Sequence, residues 1–159
     1  MPSSNASPLR SKHENLQLDQ QLCFALYSAT HAMTRSYKRA LAAVGLTYPQ
    51  YLVMLVLWER DGLSISEVAS TLDLDTATVT PLVQRIESAG WVKRMRVPGD
   101  HRISSLKVRP KGRAMQRQVA DIQRTMACRT GLERGEFDRL KASLLALAAR
   151  MNQSLDTVE

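Results

Sequence analysis

The 159 residues predict a mainly α chain with one small β-hairpin wing. Three observations predict it. Apolar residues recur at helical spacing through most of the chain. Glycine and proline fall between those stretches, where they act as punctuation. One short region, Trp91 to Val97, sets apolar residues against basic ones in a pattern that suits a strand.

The elements follow in order. Residues 1–15 are rich in Ser and Pro and have no apolar core segment, so a disordered arm is expected and no secretion signal. The longest apolar run, Tyr51 to Trp58, is far too short to span a bilayer. A cytoplasmic protein with no membrane partner is therefore expected. From Leu16 to about Val44, Leu18, Leu22, Leu26, Met33, Tyr37 and Leu41 recur at spacings that fit one helix, stopped by Gly45. Thr47 and Gln50 form a capping-box pair that opens a second, almost wholly apolar helix through Arg60. Asp61-Gly62 ends it. Ser64 and Glu67 form another capping box, with Ile65, Val68, Ala69 and Leu72 on one face of a short helix.

After the tight connection Leu74-Asp75-Thr76, a helix is expected from about Thr76 to Ala89, stopped by Gly90. Val79, Leu82, Val83 and Ile86 form its apolar stripe, and Ala77, Thr80, Pro81, Gln84 and Ser88 its opposite face. Pro81 removes one backbone hydrogen bond. Either the helix starts at Thr76 and carries Pro81 inside, or Thr80 caps a shorter one; the earlier start is preferred. Pro98-Gly99-Asp100 is turn chemistry, and Ser104 to Val108 suits a second strand. A long helix is expected from Pro110 to Cys128, a break at Thr130-Gly131, and a last helix from Gly135 to Leu155. Phe137, Leu140, Leu144, Leu147 and Met151 line the apolar face of that last helix.

Short helix, tight turn, polar-faced helix and basic hairpin, in that order, make a winged helix-turn-helix. The charge fits a polyanion. Gln84 to Arg113 holds nine basic and two acidic residues, a difference of +7 that equals the net charge of the whole chain. A major groove admits one helix, and its base edges are read by small polar and amide side chains. Thr76, Thr78, Thr80, Gln84 and Arg85 are the candidates on the helix. Lys93, Arg94, Arg96, Arg102 and Lys107 on the hairpin offer charge to phosphates, with Arg102 at the tip suited to a narrow minor groove. The first, fifth and sixth helices carry apolar stripes with no internal partner, which implies a homodimer. A two-fold dimer matches a palindromic double-stranded DNA operator with half-sites ~34–36 Å apart.

The two cysteines, Cys23 and Cys128, lack metal-site spacing, and no metal or cofactor is expected. By themselves they are either inert or redox-active. Cys23 falls near a helix N-terminus, where the dipole favours an anion such as a thiolate. Leu22, Phe24, Leu52 and Leu55 would give such a thiol an apolar wall.

From about residue 18 to 150 the chain resembles the MarR family of repressors. Asp100-His101-Arg102 is similar to the family's Asp-x-Arg wing element, and Gly90-Trp91-Val92-Lys93-Arg94 to its exit from the recognition helix. It resembles more narrowly the organic hydroperoxide sensor branch, OhrR. That resemblance is carried by Leu18-Asp-Gln-Gln-Leu-Cys23-Phe-Ala-Leu-Tyr27, Tyr37-Lys38, Thr47-Tyr48-Pro49-Gln50-Tyr51, Leu74-Asp75 and Thr80-Pro81-Leu82. It implies that Cys23 reacts with the peroxide, that Tyr37 and Tyr48 hydrogen-bond its thiolate, and that Cys128 resolves the oxidised sulfur from the partner subunit. It adds Asp100 to the wing residues at DNA. Arg109-Pro110 departs from the family's usual Leu-Thr and puts the start of the fifth helix in question.

The expected organisation is an arm (1–15), a dimerisation and sensor helix (16–46), a DNA-binding region (47–109) and C-terminal dimerisation helices (110–159). The expected activity is a repressor that releases its operator on oxidation by an organic hydroperoxide, and not an enzyme. Three rivals remain. One is a repressor of the same fold released by a small aromatic ligand, and another is a thiol peroxidase. The third is a non-specific architectural DNA protein.

Overall fold

The structure is a computed structural model that describes the backbone of residues 16–97 and 100–155, with the side chains of 97, 100–104, 154 and 155 outside the described set. The chain divides into two compact units after Arg113. No helix among the described residues is long and apolar enough to cross a membrane.

The expected single helix from Leu16 is in fact a 3-10 turn, Leu18–Gln20, followed by α1, Leu22–Ala42. Gln21 separates them with an extended backbone (φ −91°, ψ 121°), and its side-chain amide donates to the Gln17 carbonyl at 3.2 Å. Gly45 then takes a left-handed φ of 77°, and the Leu46 N–H returns to the Leu41 carbonyl at 3.1 Å, so the chain reverses over two buried leucines.

Both capping boxes form. At α2, Tyr48–Glu59, the Gln50 N–H donates to Thr47 Oγ1 at 3.4 Å, and the Thr47 N–H donates to Gln50 Oε1 at 2.9 Å. At α3, Ile65–Thr71, Ser64 and Glu67 exchange the equivalent bonds at 3.2 and 2.7 Å. Asp73 takes a φ of 54°, which aspartate tolerates better than most residues, and Leu74 bonds back to Ala69 at 3.0 Å. That turn delivers α4, Thr76–Ser88, capped by Asp75 through the Thr78 N–H at 2.6 Å. Pro81 lies inside α4, so the helix takes the earlier of the two starts.

The core of this unit sits between α2, α3, α4 and the wing. Val53, Met54, Leu57, Val68, Val79, Val83, Ile86, Val92 and Leu106 have almost no surface left. α4 ends in a Schellman turn: Gly90 is left-handed (φ 78°), its N–H meets the Glu87 carbonyl at 2.8 Å, and the Trp91 N–H meets the Ile86 carbonyl at 3.1 Å.

The wing is an antiparallel pair, β1 (Val92–Val97) and β2 (Asp100–Val108), in register from Val92 opposite Val108 to Arg96 opposite Ser104. The pairing then jumps to Val97 opposite Asp100, passing over three residues of β2. The second strand was expected only from Ser104; this irregularity keeps the chain extended beyond the regular ladder. An isolated bridge from the 62–64 segment to β2 was not expected. Gly62 donates to Leu106 at 2.9 Å, Leu106 donates to Leu63 at 2.7 Å, and Ser64 bridges Ser105.

The long helix expected from Pro110 to Cys128 is two pieces, α5 (Pro110–Ala114) and α6 (Gln116–Arg129), meeting at Met115. Gly112 supplies the reason within the first unit. Its carbonyl, which an unbroken helix would offer to Gln116, accepts the Trp58 indole N–H at 3.0 Å. The final helix, α7 (Arg134–Leu155), starts after the left-handed Gly131 (φ 67°).

Candidate DNA-reading surface and thiol sites

Burying Val79, Val83 and Ile86 turns the other side of α4 outward. Thr76, Ala77, Thr78, Pro81, Gln84 and Arg85 are exposed there and Thr80 is half-buried. Two of the hydroxyls are already oriented. Thr78 Oγ1 donates to Asp75 Oδ2 at 2.9 Å, and Thr80 Oγ1 donates to the Thr76 carbonyl at 2.6 Å. With their protons committed, both offer lone pairs outward as acceptors. The Thr78 N–H and hydroxyl also hold the Asp75 carboxyl below its ordinary range, so the N-cap stays anionic.

The hairpin sorts its charges by face. Residues opposite one another on paired strands share a face, so Val92/Val108 and Arg94/Leu106 point toward the core, and Lys93/Lys107 point away. Lys93, Lys107 and Arg96 are exposed. Arg94 is not available in the same way. It is half-buried against Glu87 of α4, with Nε 3.1 Å from Glu87 Oε2. Asp100 and Arg102 lie on β2, and their side chains are outside the described residues.

Several residues that shape this surface were missed by sequence reasoning. Glu87 joins α4 to the wing. Asp61 accepts from the Val108 N–H at 2.9 Å and from Arg113 at 2.8 Å, and Lys111 donates to the Ala89 carbonyl at 2.8 Å. The strand alternation that puts Arg94 on the face of Val92 was the signal that could have found its partner.

The thiols are both free and exposed. Cys23 is the second residue of α1, whose own first turn carries no acidic residue. Tyr27 follows one turn later, its ring 4.1 Å from that of His31. Tyr37 and Tyr48 do come together, with ring centroids 5.3 Å apart, and Tyr51 stacks on Tyr37 at the same distance. Burial raises the Tyr48 phenol, and the Tyr37 phenol beside it adds to the shift. Burial pushes Tyr51 up further still, reinforced by Tyr37 and a hydrogen bond to it. All three sit far from Cys23 in the same chain. Tyr37 is 14 residues along α1, about 21 Å at 1.5 Å per residue. Nor does one chain enclose the sulfur: Leu22, Phe24 and Leu55 are exposed and Leu52 is half-buried. Cys128 is the penultimate residue of α6.

Comparison with known proteins agrees with this architecture. Residues 46–104 match the MarR family. The HTH-type transcriptional regulator TtmR of Methylorubrum extorquens is 38% identical over 158 residues, covering 99% of this chain and 81% of that one. The organic hydroperoxide resistance transcriptional regulator of Bacillus subtilis is 32% identical over 145 residues, covering 91% of this chain and 99% of that one. Among solved structures, reduced AbfR bound to DNA superposes with a TM-score of 0.76 at 30% identity, covering 91% of this chain and 99% of that one. Disulfide-formed AbfR gives 0.63 at 31% identity, covering 91% and 97%. AbfR is a Staphylococcus epidermidis protein. The chain thus belongs to the MarR family of DNA-binding transcriptional regulators.

Proposed function

We propose that the protein is a homodimeric repressor that senses organic hydroperoxides through Cys23 and leaves its operator when that sulfur is oxidised. The observation that carries the reading is Cys23 itself, an exposed thiol on the second residue of α1 with no acidic residue in that helix turn. The thiolate is the nucleophilic form of a cysteine. The thiolate attacks the outer peroxide oxygen, the O–O bond breaks, and the alcohol leaves with a proton, giving a sulfenic acid. Cys128 of the partner subunit then attacks that sulfur and expels water, forming a disulfide. The Bacillus subtilis relative is named for organic hydroperoxide resistance, and AbfR has been captured reduced on DNA and with a disulfide formed. Both support the reading.

The separation along α1 defines how Tyr37 and Tyr48 would take part. A helix cannot fold its own Tyr37 back onto Cys23, so the phenols that donate to the thiolate are those of the partner subunit. Two α1 helices packed antiparallel bring one's start to the other's end. The surface for this exists: α1 buries only Leu41 and leaves Leu22, Phe24, Tyr27 and Met33 exposed. From Arg134 to Gln153, α7 has no buried residue, and Leu140, Leu144, Leu145 and Met151 stand exposed. At DNA, Thr76, Thr78, Thr80, Gln84 and Arg85 read base edges, and Arg96 and Arg102 meet phosphate. Asp100 joins the wing residues at DNA.

The test is a gel shift on a duplex that the wild-type protein selects in vitro, with cumene hydroperoxide and then dithiothreitol. Wild type should release and rebind. Cys23→Ser should bind and ignore the peroxide. Release by Cys23→Ser would overturn the thiol reading and favour a ligand-released repressor. Cys128→Ser should stay oxidisable at Cys23 yet form no crosslinked dimer on a non-reducing gel.

A further inference from the structure

The contact between Glu87 and Arg94 is the part of the reading surface that its function has not absorbed. Glu87 is near the C-terminal end of α4, and Arg94 is the third residue of β1. One carboxylate makes both connections. Its Oε1 accepts the Arg94 backbone N–H at 2.9 Å, and its Oε2 faces Arg94 Nε at 3.1 Å.

The sheet explains the first bond. Leu106, opposite Arg94, gives its N–H and carbonyl to the 62–64 segment, away from β1. Arg94 therefore points its own N–H away from β2, to the open edge of the sheet. Glu87 occupies that edge where a further strand would pair. The second contact is less comfortable. Arg94 Nε and Nη2 are shielded from solvent, and neither completes a hydrogen bond among the described residues. A guanidinium held this way pays for a position rather than for stability. Arg94 and Arg96 share one face of the wing, and only Arg96 is exposed.

We propose that Glu87 is a positioning residue for DNA recognition: it sets the wing's angle to α4 and withholds the Arg94 charge from the phosphates. The clamp favours specificity over raw affinity. Phosphate contacts add sequence-independent binding, whereas discrimination needs the helix and the wing in one relative pose. With Glu87 replaced by glutamine, Arg94 gains freedom to meet the DNA backbone two residues short of Arg96.

The experiment measures affinity against salt for the full-length protein on its in-vitro selected duplex and on a scrambled duplex of the same composition. Glu87→Gln keeps an acceptor for the Arg94 N–H and removes the charge. It should bind scrambled DNA more tightly, with a log–log salt slope steeper by about one per subunit, and discriminate less between the duplexes. Glu87→Ala, which also frees the strand edge, should discriminate less again. The Glu87→Gln/Arg94→Gln pair should return the slope to the wild-type value, a reversal that a merely structural role would not produce. A thermal melt confirms that each variant is folded. Should folded Glu87→Gln keep both the wild-type slope and the wild-type discrimination, the assignment is wrong. A steeper slope that persists in the double variant would also overturn it, because the new phosphate contact would not be Arg94.

Discussion

At Gly112 a single missing methyl group holds the wing, α2 and α5 together. A Cβ there would lie 2.3 Å from the Trp91 carbonyl oxygen and 3.1 Å from its carbon, both backbone atoms that cannot swing aside. The Gly112 carbonyl meanwhile accepts the Trp58 indole, and the Arg109 N–H bonds that same Trp91 carbonyl at 2.8 Å. Gly112→Ala must therefore displace backbone and strain two hydrogen bonds, and overpacking of this kind costs about 1–3 kcal/mol. Urea denaturation should show the midpoint falling with the slope unchanged; an unchanged midpoint would mean the junction yields freely. None of this was legible in the sequence, where Arg109-Pro110 put the start of that helix in question and nothing marked Gly112 as a close contact. Close approach between residues 21 positions apart leaves no local pattern. Arg94 is the intermediate case: its type suggested phosphate, while its strand position placed it inward beside Leu106.

At the scale of elements, the helix starts were readable because a capping box is a conversation between residues three apart. Thr47/Gln50 and Ser64/Glu67 form as their spacing predicts. The bridge from segment 62–64 was not readable, because its partner β2 lies about forty residues later in the chain. The split of the fifth helix escaped for the same reason. The caps have a pH signature. Hydrogen bonds from the Thr78 N–H and hydroxyl lower Asp75 below its ordinary 3.8, and those from the Ser64 N–H and hydroxyl lower Glu67 below 4.5, with Arg60 adding a smaller pull. A lowered carboxyl contributes stability in full above its unfolded value and loses it as pH falls through the folded value. Melting temperature should therefore drop below about pH 4. Asp75→Asn keeps a good capping side chain with no charge to titrate, so its melting curve should fall less steeply over that window. Identical acid profiles for the two proteins would remove Asp75 from the account.

The whole molecule poses a different question, because one chain holds a reading head but leaves its longest helices uncovered. Leu140 and Leu144 lie four residues apart on α7, on one face, and both are exposed. A hydrophobic stripe of this kind is stable in water only when something covers it, and a second copy matches the two-fold operator proposed for this protein. Replacing both leucines by glutamate puts like charges where the two copies would meet. Sedimentation should then give a monomer where the wild type gives a dimer. The reading head itself should remain, since α2, α3, α4 and the wing bury their own core without α7. Binding should then separate into two behaviours: scrambled DNA bound with the salt slope of a single head, and the selected duplex bound far more weakly, because two heads are no longer tied ~34–36 Å apart. The same variant should lose the peroxide-induced crosslink, since Cys23 and Cys128 would have no partner subunit to meet. A crosslink formed by a chain that sediments as a monomer would place both thiols of the disulfide within one copy, and the dimer would no longer be needed to explain the redox response.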